Sequence, residues 1–276
     1  MRRPWLIRLA PLALRTKLYY ALYRSQAARY SSLYASAALA LAPGYRMQLW
    51  PGDEAHGEIA FTGLYEGRLS KRLIAHSREG GLMVDVGANF GYFALLWLAA
   101  RPTNRVIAFE PVSRNVTMLR RNAAMNGVED RFDIRAMAVG NRDEPLPFSP
   151  GPETQTGWGG FTEKNVDSFV VESVTLDRCL RREVAIDVLK IDAEGADTWV
   201  LSGARDLLSC QRIRHIYFEQ NDERMRALGI GKGEAIRMLE ELGYRVVPLD
   251  PRQTSLAEFY ATPRERMSSR GGSATV

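Results

Sequence analysis

Short apolar runs alternate with helical patterns along most of this chain. Residues 82–86, 105–109, 132–139, 186–191 and 213–218 read as strands, and residues 92–100, 113–126, 196–208 and 232–242 as helices between and after them. The run at 82–86 carries β-branched residues and suits a strand covered on both faces. Residues 92–100 are apolar almost all round, so that helix is expected to be buried. The helix at 113–126 has one apolar face, made by Val116, Leu119 and Ala123, with Ser113 as its cap and Gly127 as its stop. Residues 244–249 and 258–261 read as a closing strand pair. Strands alternating with helices predict an α/β domain.

The flanks have other patterns. Residues 45–50 and 58–61 read as two short strands around the Pro51-Gly52-Asp53 turn, and residues 64–77 as a helix with Leu69, Leu73 and Ile74 on one face. Residues 145–168 are rich in Pro, Gly, Ser and Thr and too long for a simple connector, which fits a lid or substrate loop with Trp158 as its one large aromatic. A β-hairpin with no substrate role is the plainer reading of the same stretch. Residues 169–176 alternate like a strand. Residues 262–276 read as a disordered tail.

Charge changes the picture at one end only. The chain of 276 residues has a net charge of +5, but residues 1–50 hold eight of the 37 Lys and Arg and no acid. The remainder has 29 bases against 32 acids, which argues against a general nucleic-acid binder. Residues 1–44 therefore stand apart from a domain spanning 45–261 as a basic helical extension, with Leu18, Tyr19, Leu22, Tyr23 and Tyr30 at helical spacing. Three readings fit the extension: a cover helix on the domain or on a partner subunit, a basic amphipathic helix on an anionic membrane surface, and a targeting segment. No uninterrupted apolar run reaches the roughly 18 residues that span a bilayer, so a cytoplasmic protein with at most peripheral membrane contact is expected. Cys179 and Cys210 form no metal or disulfide pattern and read as buried, reduced thiols, and the three histidines make no zinc signature. His215 reads as a paired, structural residue.

The candidate chemistry lies at strand ends. Asp85-Val86-Gly87-Ala88-Asn89-Phe90-Gly91 follows the first central strand, and Glu110 ends the next one, 19 residues after Gly91. That is the arrangement of a nucleoside-binding unit, in which backbone N–H groups meet the ligand at a helix N-terminus and an acid takes the ribose hydroxyls. NAD-binding turns usually lack the acid two residues before the first Gly. A site for S-adenosylmethionine (SAM), whose methionine end carries an ammonium group, can use it. Asp192 and Glu194 follow the strand at 186–191, and Glu219 with Asn221 follows the strand at 213–218, all at the edge where open α/β sheets bind ligands. The alternative is that Asp192 and Glu194 only cap the next helix.

Together these motifs resemble the FkbM-type family of SAM-dependent methyltransferases. The residues that carry the resemblance are Val84 to Gly91, Phe109-Glu110-Pro111, Val174-Thr175-Leu176-Asp177, Asp187 to Ala196, and Phe218-Glu219. The match covers roughly residues 45–250, and Asp197 departs from it where the family commonly has Glu. The resemblance implies a Rossmann-like class I methyltransferase fold: a seven-stranded, mostly parallel sheet with helices on both faces and one reversed strand. It also implies O-methylation of a hydroxyl on a sugar, polyketide or other secondary metabolite. Gly87, Ala88, Asn89 and Gly91 would line SAM, Glu110 would hold its ribose, and Asp85 and Asp192 would complete the cofactor site. Asp192 is the first candidate for a general base, followed by Glu194 and Glu219. No metal site is expected, although Asp192, Glu219 and Asn221 could hold Mg²⁺ in a metal-assisted variant. An NAD-dependent oxidoreductase and a non-catalytic SAM-binding module are the competing classes. The acceptor and the oligomeric state are not written in the sequence.

Overall fold

The computed structural model describes residues 3–162, 168–183, 185–252 and 256–264. Its centre is a seven-stranded sheet, numbered here along the chain: β1 Leu82–Val86, β2 Arg105–Phe109, β3 Phe132–Arg135, β4 Ile186–Ile191, β5 Ile213–Asn221, β6 Tyr244–Pro248 and β7 Leu256–Pro263. The spatial order is β6-β7-β5-β4-β1-β2-β3. Only β7 runs against its neighbours, pairing antiparallel with β5 and β6. The sequence order turns back between β4 and β1, so the carboxyl ends of both strands open onto one crevice.

Both faces of the sheet are covered. On one side Met83 and Val188 join a core with Phe61, Leu73, Leu95 and Trp97, drawn from the helices Glu54–Thr62, Gly67–Ser77 and Tyr92–Ala100. On the other, Val84, Val86, Leu189 and Ile191 pack on Val200, Leu201, Leu207 and Leu239. Alternation along a strand separates the two sets. The helix Tyr92–Ala100 is buried from Tyr92 through Leu98, as its all-round apolar sequence predicts. Each fully buried Leu or Phe there contributes about 1.5–3 kcal/mol.

Several elements differ from the sequence reading. Residues 58–61 are not a strand but part of the helix Glu54–Thr62. A short apolar run is ambiguous by periodicity, and here the Asp53 carboxylate decides it by accepting the His56 N–H as the helix N-cap. The strand expected at 45–50 shrinks to Arg46–Met47, paired with Ala37–Ala38. Residues 132–139 divide into β3 and the short strand Ala138–Val139. The expected strand at 169–176 is Phe169–Val171 and Ser173–Val174, followed by the helix Leu176–Cys179. The helix at 196–208 is two, Asp197–Ser202 and Arg205–Ser209. Asp177 holds the second of these, accepting from the N–H groups of Asp206 and Leu207. Cys210 is exposed rather than buried. His215 is paired as expected, with the Tyr260 hydroxyl at 2.7 Å. The expected disordered tail falls, beyond Arg264, outside the described residues.

The N-terminal segment packs on the domain. Its turns Trp5–Leu9 and Leu12–Leu18 lead into Tyr19–Tyr23 and Arg24–Leu33. Phe61 is enclosed by the rings of Tyr19, Tyr23 and Tyr30, at 5.1, 5.9 and 5.3 Å between centroids. Gly57 makes this possible, because a Cβ there would lie 2.2 Å from the Tyr19 hydroxyl. The Arg3 guanidinium donates to the carbonyls of Ile59 and Ala60 at the end of the helix Glu54–Thr62. That placement satisfies terminal carbonyls and complements the helix dipole.

Candidate functional site

The turn after β1 is built by its own backbone. The N–H groups of Gly87 and Ala88 both donate to the Phe109 carbonyl, at 3.0 and 3.1 Å. Asn89 N–H donates to Glu110 Oε2 at 2.9 Å, and Gly91 N–H to the Ala88 carbonyl at 2.8 Å. These four donors are spent inside the protein. This corrects the expectation that they meet the ligand: the turn offers shape and close approach instead. Gly87 has φ +73°, and a Cβ there would lie 2.0 Å from the Asp192 carbonyl oxygen. Only glycine lets the turn after β1 sit on the end of β4.

Glu110 is 4% exposed and lines the cavity. Its Oε1 accepts from Val112 N–H at 3.0 Å and from the Asn115 amide at 3.3 Å. Burial pushes its carboxyl up to about 7, and these donors pull the other way. Oε2 takes only the Asn89 N–H among the described residues and retains an acceptor position.

Asp85 is not at the ligand face. It is fully buried and absent from the cavity wall. The register of β1 and β4 sets it opposite Lys190, whose Nζ lies 3.5 Å from Asp85 Oδ1. The same ammonium is 3.3 Å from Asp192 Oδ2, 3.4 Å from the Gly87 carbonyl and 5.2 Å from the centre of the Phe93 ring. The neighbouring carboxylates hold Lys190 protonated against the cost of its burial. Lys190, which the sequence reading passed over, lines the cavity and ties the turn after β1 to the turn after β4.

The second turn carries Asp192 and Glu194, and further acids face them. Asp192, Glu194 and Glu219 all line the cavity, together with Glu66. Asp192 keeps 36% of its side chain exposed. It does not cap the following helix. Asp197 is the buried clamp there, accepting from Ala193 N–H at 3.2 Å and Glu219 N–H at 2.8 Å. Burial, with Asp192 adding to it, pushes Glu66 up to about 7, Glu194 to about 8 and Glu219 to about 9. Arg224 opposes the shift at Glu194, with Nε 3.3 Å from Oε2. The metal-assisted variant loses a ligand, because Asn221 Oδ1 accepts the Arg224 N–H as a helix cap. Among the described residues no group of three or more His, Cys, Asp or Glu side chains could hold a metal ion.

Three non-glycine residues on the cavity wall have left-handed backbones: Glu66 at φ 41°, Asn89 at 48° and Glu194 at 51°. Such strain is stored where the surrounding structure fixes a functional side chain.

The long loop closes the site. Its base is a three-stranded sheet of Leu146–Ser149, Gly160–Phe161 and Phe169–Val171, so the hairpin reading holds there. Its tip lies over the first turn. Thr156 N–H and Oγ1 donate to Asp53 Oδ2 at 2.6 and 2.9 Å, and the Thr156 carbonyl accepts from the Asn115 amide at 3.2 Å. Arg224 donates to the Trp158 carbonyl at 3.2 Å and lies over the Trp158 ring. His56 completes the wall next to Phe90 and is kept neutral by burial, which lowers it to about 4. The cavity measures about 740 Å³, within the range of small-molecule sites.

Residues 85–246, more than half of the chain, match the methyltransferase FkbM domain. The chain belongs to this family. It is a SAM-dependent methyltransferase. A relative in Streptomyces tacrolimicus, the 31-O-demethyl-FK506 methyltransferase FkbM, is 28% identical over 71% of this chain and 84% of its own length. The 2-O-methyltransferase NoeI of Sinorhizobium fredii is 25% identical over 52% of this chain and 65% of its own length. A solved precorrin-6y C5,15-methyltransferase from Geobacter metallireducens GS-15 aligns with a TM-score of 0.42 at 13% identity, over 72% of this chain and 89% of that one.

Proposed function

We propose that this FkbM-family enzyme transfers a methyl group from SAM to a hydroxyl of a sugar, polyketide or other secondary metabolite. The observation that carries the reading is the Asp192 carboxylate, held by Lys190 on the cavity wall beside the Gly87 turn. SAM, when bound, supplies a methyl group on a sulfonium whose departure needs no proton. The protein must align an oxygen, exclude water and receive the hydroxyl proton. Asp192, partly open on the wall and held by Lys190, is the group best placed to take that proton. Glu219, pushed up to about 9 by burial, keeps its own proton at neutral pH and suits donating a hydrogen bond to a second oxygen of the acceptor.

The cofactor fits the residues present. Glu110 Oε2 has acceptor capacity for ribose hydroxyls. Asp85 acts at one remove, by fixing Lys190. The names of both relatives specify methylation at oxygen, which supports an oxygen acceptor here.

The test is methyl transfer from isotopically labelled SAM to a panel of hydroxylated sugars and polyketides, analysed by mass spectrometry. The expected outcome is label on an acceptor oxygen, with kcat reduced about 10²–10⁴-fold in Asp192→Asn. Label found only on nitrogen or carbon, or a fully active Asp192→Asn, contradicts the proposal.

A further inference from the structure

Five of the eleven most exposed large hydrophobic side chains among the described residues fall within residues 5–22: Trp5, Leu9, Leu14, Tyr20 and Leu22. Trp5 is 66% exposed and Leu9 78%. Their neighbours Ile7, Tyr19 and Tyr23 are buried, so the segment uses one side to pack on the domain and presents the other to solvent. The exposed side also carries Arg8 and Lys17. No acid occurs in residues 1–50. Two acids of the domain that touch the segment are already engaged: Glu58 accepts from Thr16 and Tyr20, and the exposed Glu54 is neutralised by Arg24. A patch of Trp, Leu and Tyr interleaved with bases is the chemistry of an anionic lipid surface, where rings and aliphatic chains enter the headgroup boundary and cations meet the phosphates. No helix among the described residues is long and apolar enough to cross a membrane.

We propose that the exposed face of residues 5–22 docks the enzyme on an anionic bilayer. The occupant is lipid rather than a second copy of the chain because the face has bases and no acids, so two copies would set like charges against each other. The face also adjoins the site. Tyr20 lines the main cavity. Leu12, Ala13 and Thr16 line a second cavity of about 420 Å³ that shares Tyr65 and Glu66 with the main one. Docking brings the cavity mouth to the bilayer surface, within reach of an acceptor held there.

The experiment is co-sedimentation of the full chain with vesicles of phosphatidylcholine alone and of phosphatidylcholine with phosphatidylglycerol. Sedimentation velocity without lipid is run in parallel. Binding is expected on the anionic vesicles, weakening with added salt. The double substitution Trp5→Ser with Leu9→Ser lowers partitioning about tenfold or more. Arg8→Gln and Lys17→Gln lower it about fivefold each. Val170→Ser, at an exposed apolar residue far along the chain, leaves it unchanged. All these positions are exposed, and an unchanged melting temperature confirms that each variant is folded. Equal binding to neutral vesicles, or none to anionic ones, overturns the proposal. So does a dimer that the Trp5 and Leu9 changes dissociate, since the face would then be covered by a second copy.

Discussion

The turns after β1 and β4 meet across one crevice, yet they manage their polar groups in opposite ways. In the first, the four N–H groups of Gly87, Ala88, Asn89 and Gly91 are bonded within the protein, and Glu110 is satisfied by two backbone donors and an amide. In the second, Asp192 is partly open and Glu194, like Glu219 beside it on β5, is pushed well above the usual carboxylate range by burial. A turn with its donors spent is rigid and holds a shape. An open carboxyl group on the cavity wall can take part in proton transfer. Under the proposed function, cofactor binding falls to the first turn and chemistry to the second. Lys190 stands between them, in contact with Asp85 and Gly87 on one side and Asp192 on the other.

The sharpest way to break this arrangement is to remove the tie. Lys190→Met leaves Asp85 buried without a counter-ion and is expected to cost about 3–5 kcal/mol of stability. Adding Asp85→Asn should recover most of it, as read by urea unfolding. A single variant as stable as the parent would show that Lys190 does not join the turns. Next in size is Gly87→Ala. Its φ of +73° alone costs about 1–3 kcal/mol, before the clash with the Asp192 carbonyl. Calorimetry should find SAM binding lost, and retained binding would mean that the turns can separate freely.

A smaller effect separates the turns by pH. Glu194 and Glu219 bind their protons more tightly folded than unfolded, where the carboxyl value is near 4.5. Their contribution to stability is therefore full below about 4.5 and is lost as pH rises through about 8 to 9. The melting temperature should fall between pH 6 and pH 9. Glu219→Gln should flatten the slope, and an unchanged slope would place the titration elsewhere.

The parts legible in sequence were those whose signal is local. β1, the Gly turn, the buried helix, β2 and Glu110 follow one another within 30 residues, and each constrains the next by spacing. The reversed strand and the acids at the ends of β4 and β5 followed from strand order and the family resemblance. What escaped depends on contacts between distant segments. Lys190 reads as a stray base in an apolar strand until the register sets it against Asp85. A lone Lys in an otherwise covered strand, two residues before an acid, was the available signal. Thr156 reaches the site only because the loop tip folds back over it, Arg224 because the helix Asp222–Ala227 starts at the end of β5, and Glu66 only because the residue before the helix Gly67–Ser77 takes a left-handed conformation. The helix Glu54–Thr62 was misread because its apolar run is short, and the Asp53 cap was the missed cue.

The division of labour between the turns is tested most directly by calorimetric titration of SAM into the parent, Glu110→Gln and Asp192→Asn proteins. Glu110→Gln is expected to weaken binding about tenfold or more, while Asp192→Asn changes it by less than about threefold. Equal losses in the two variants, or a loss confined to Asp192→Asn, would contradict that division.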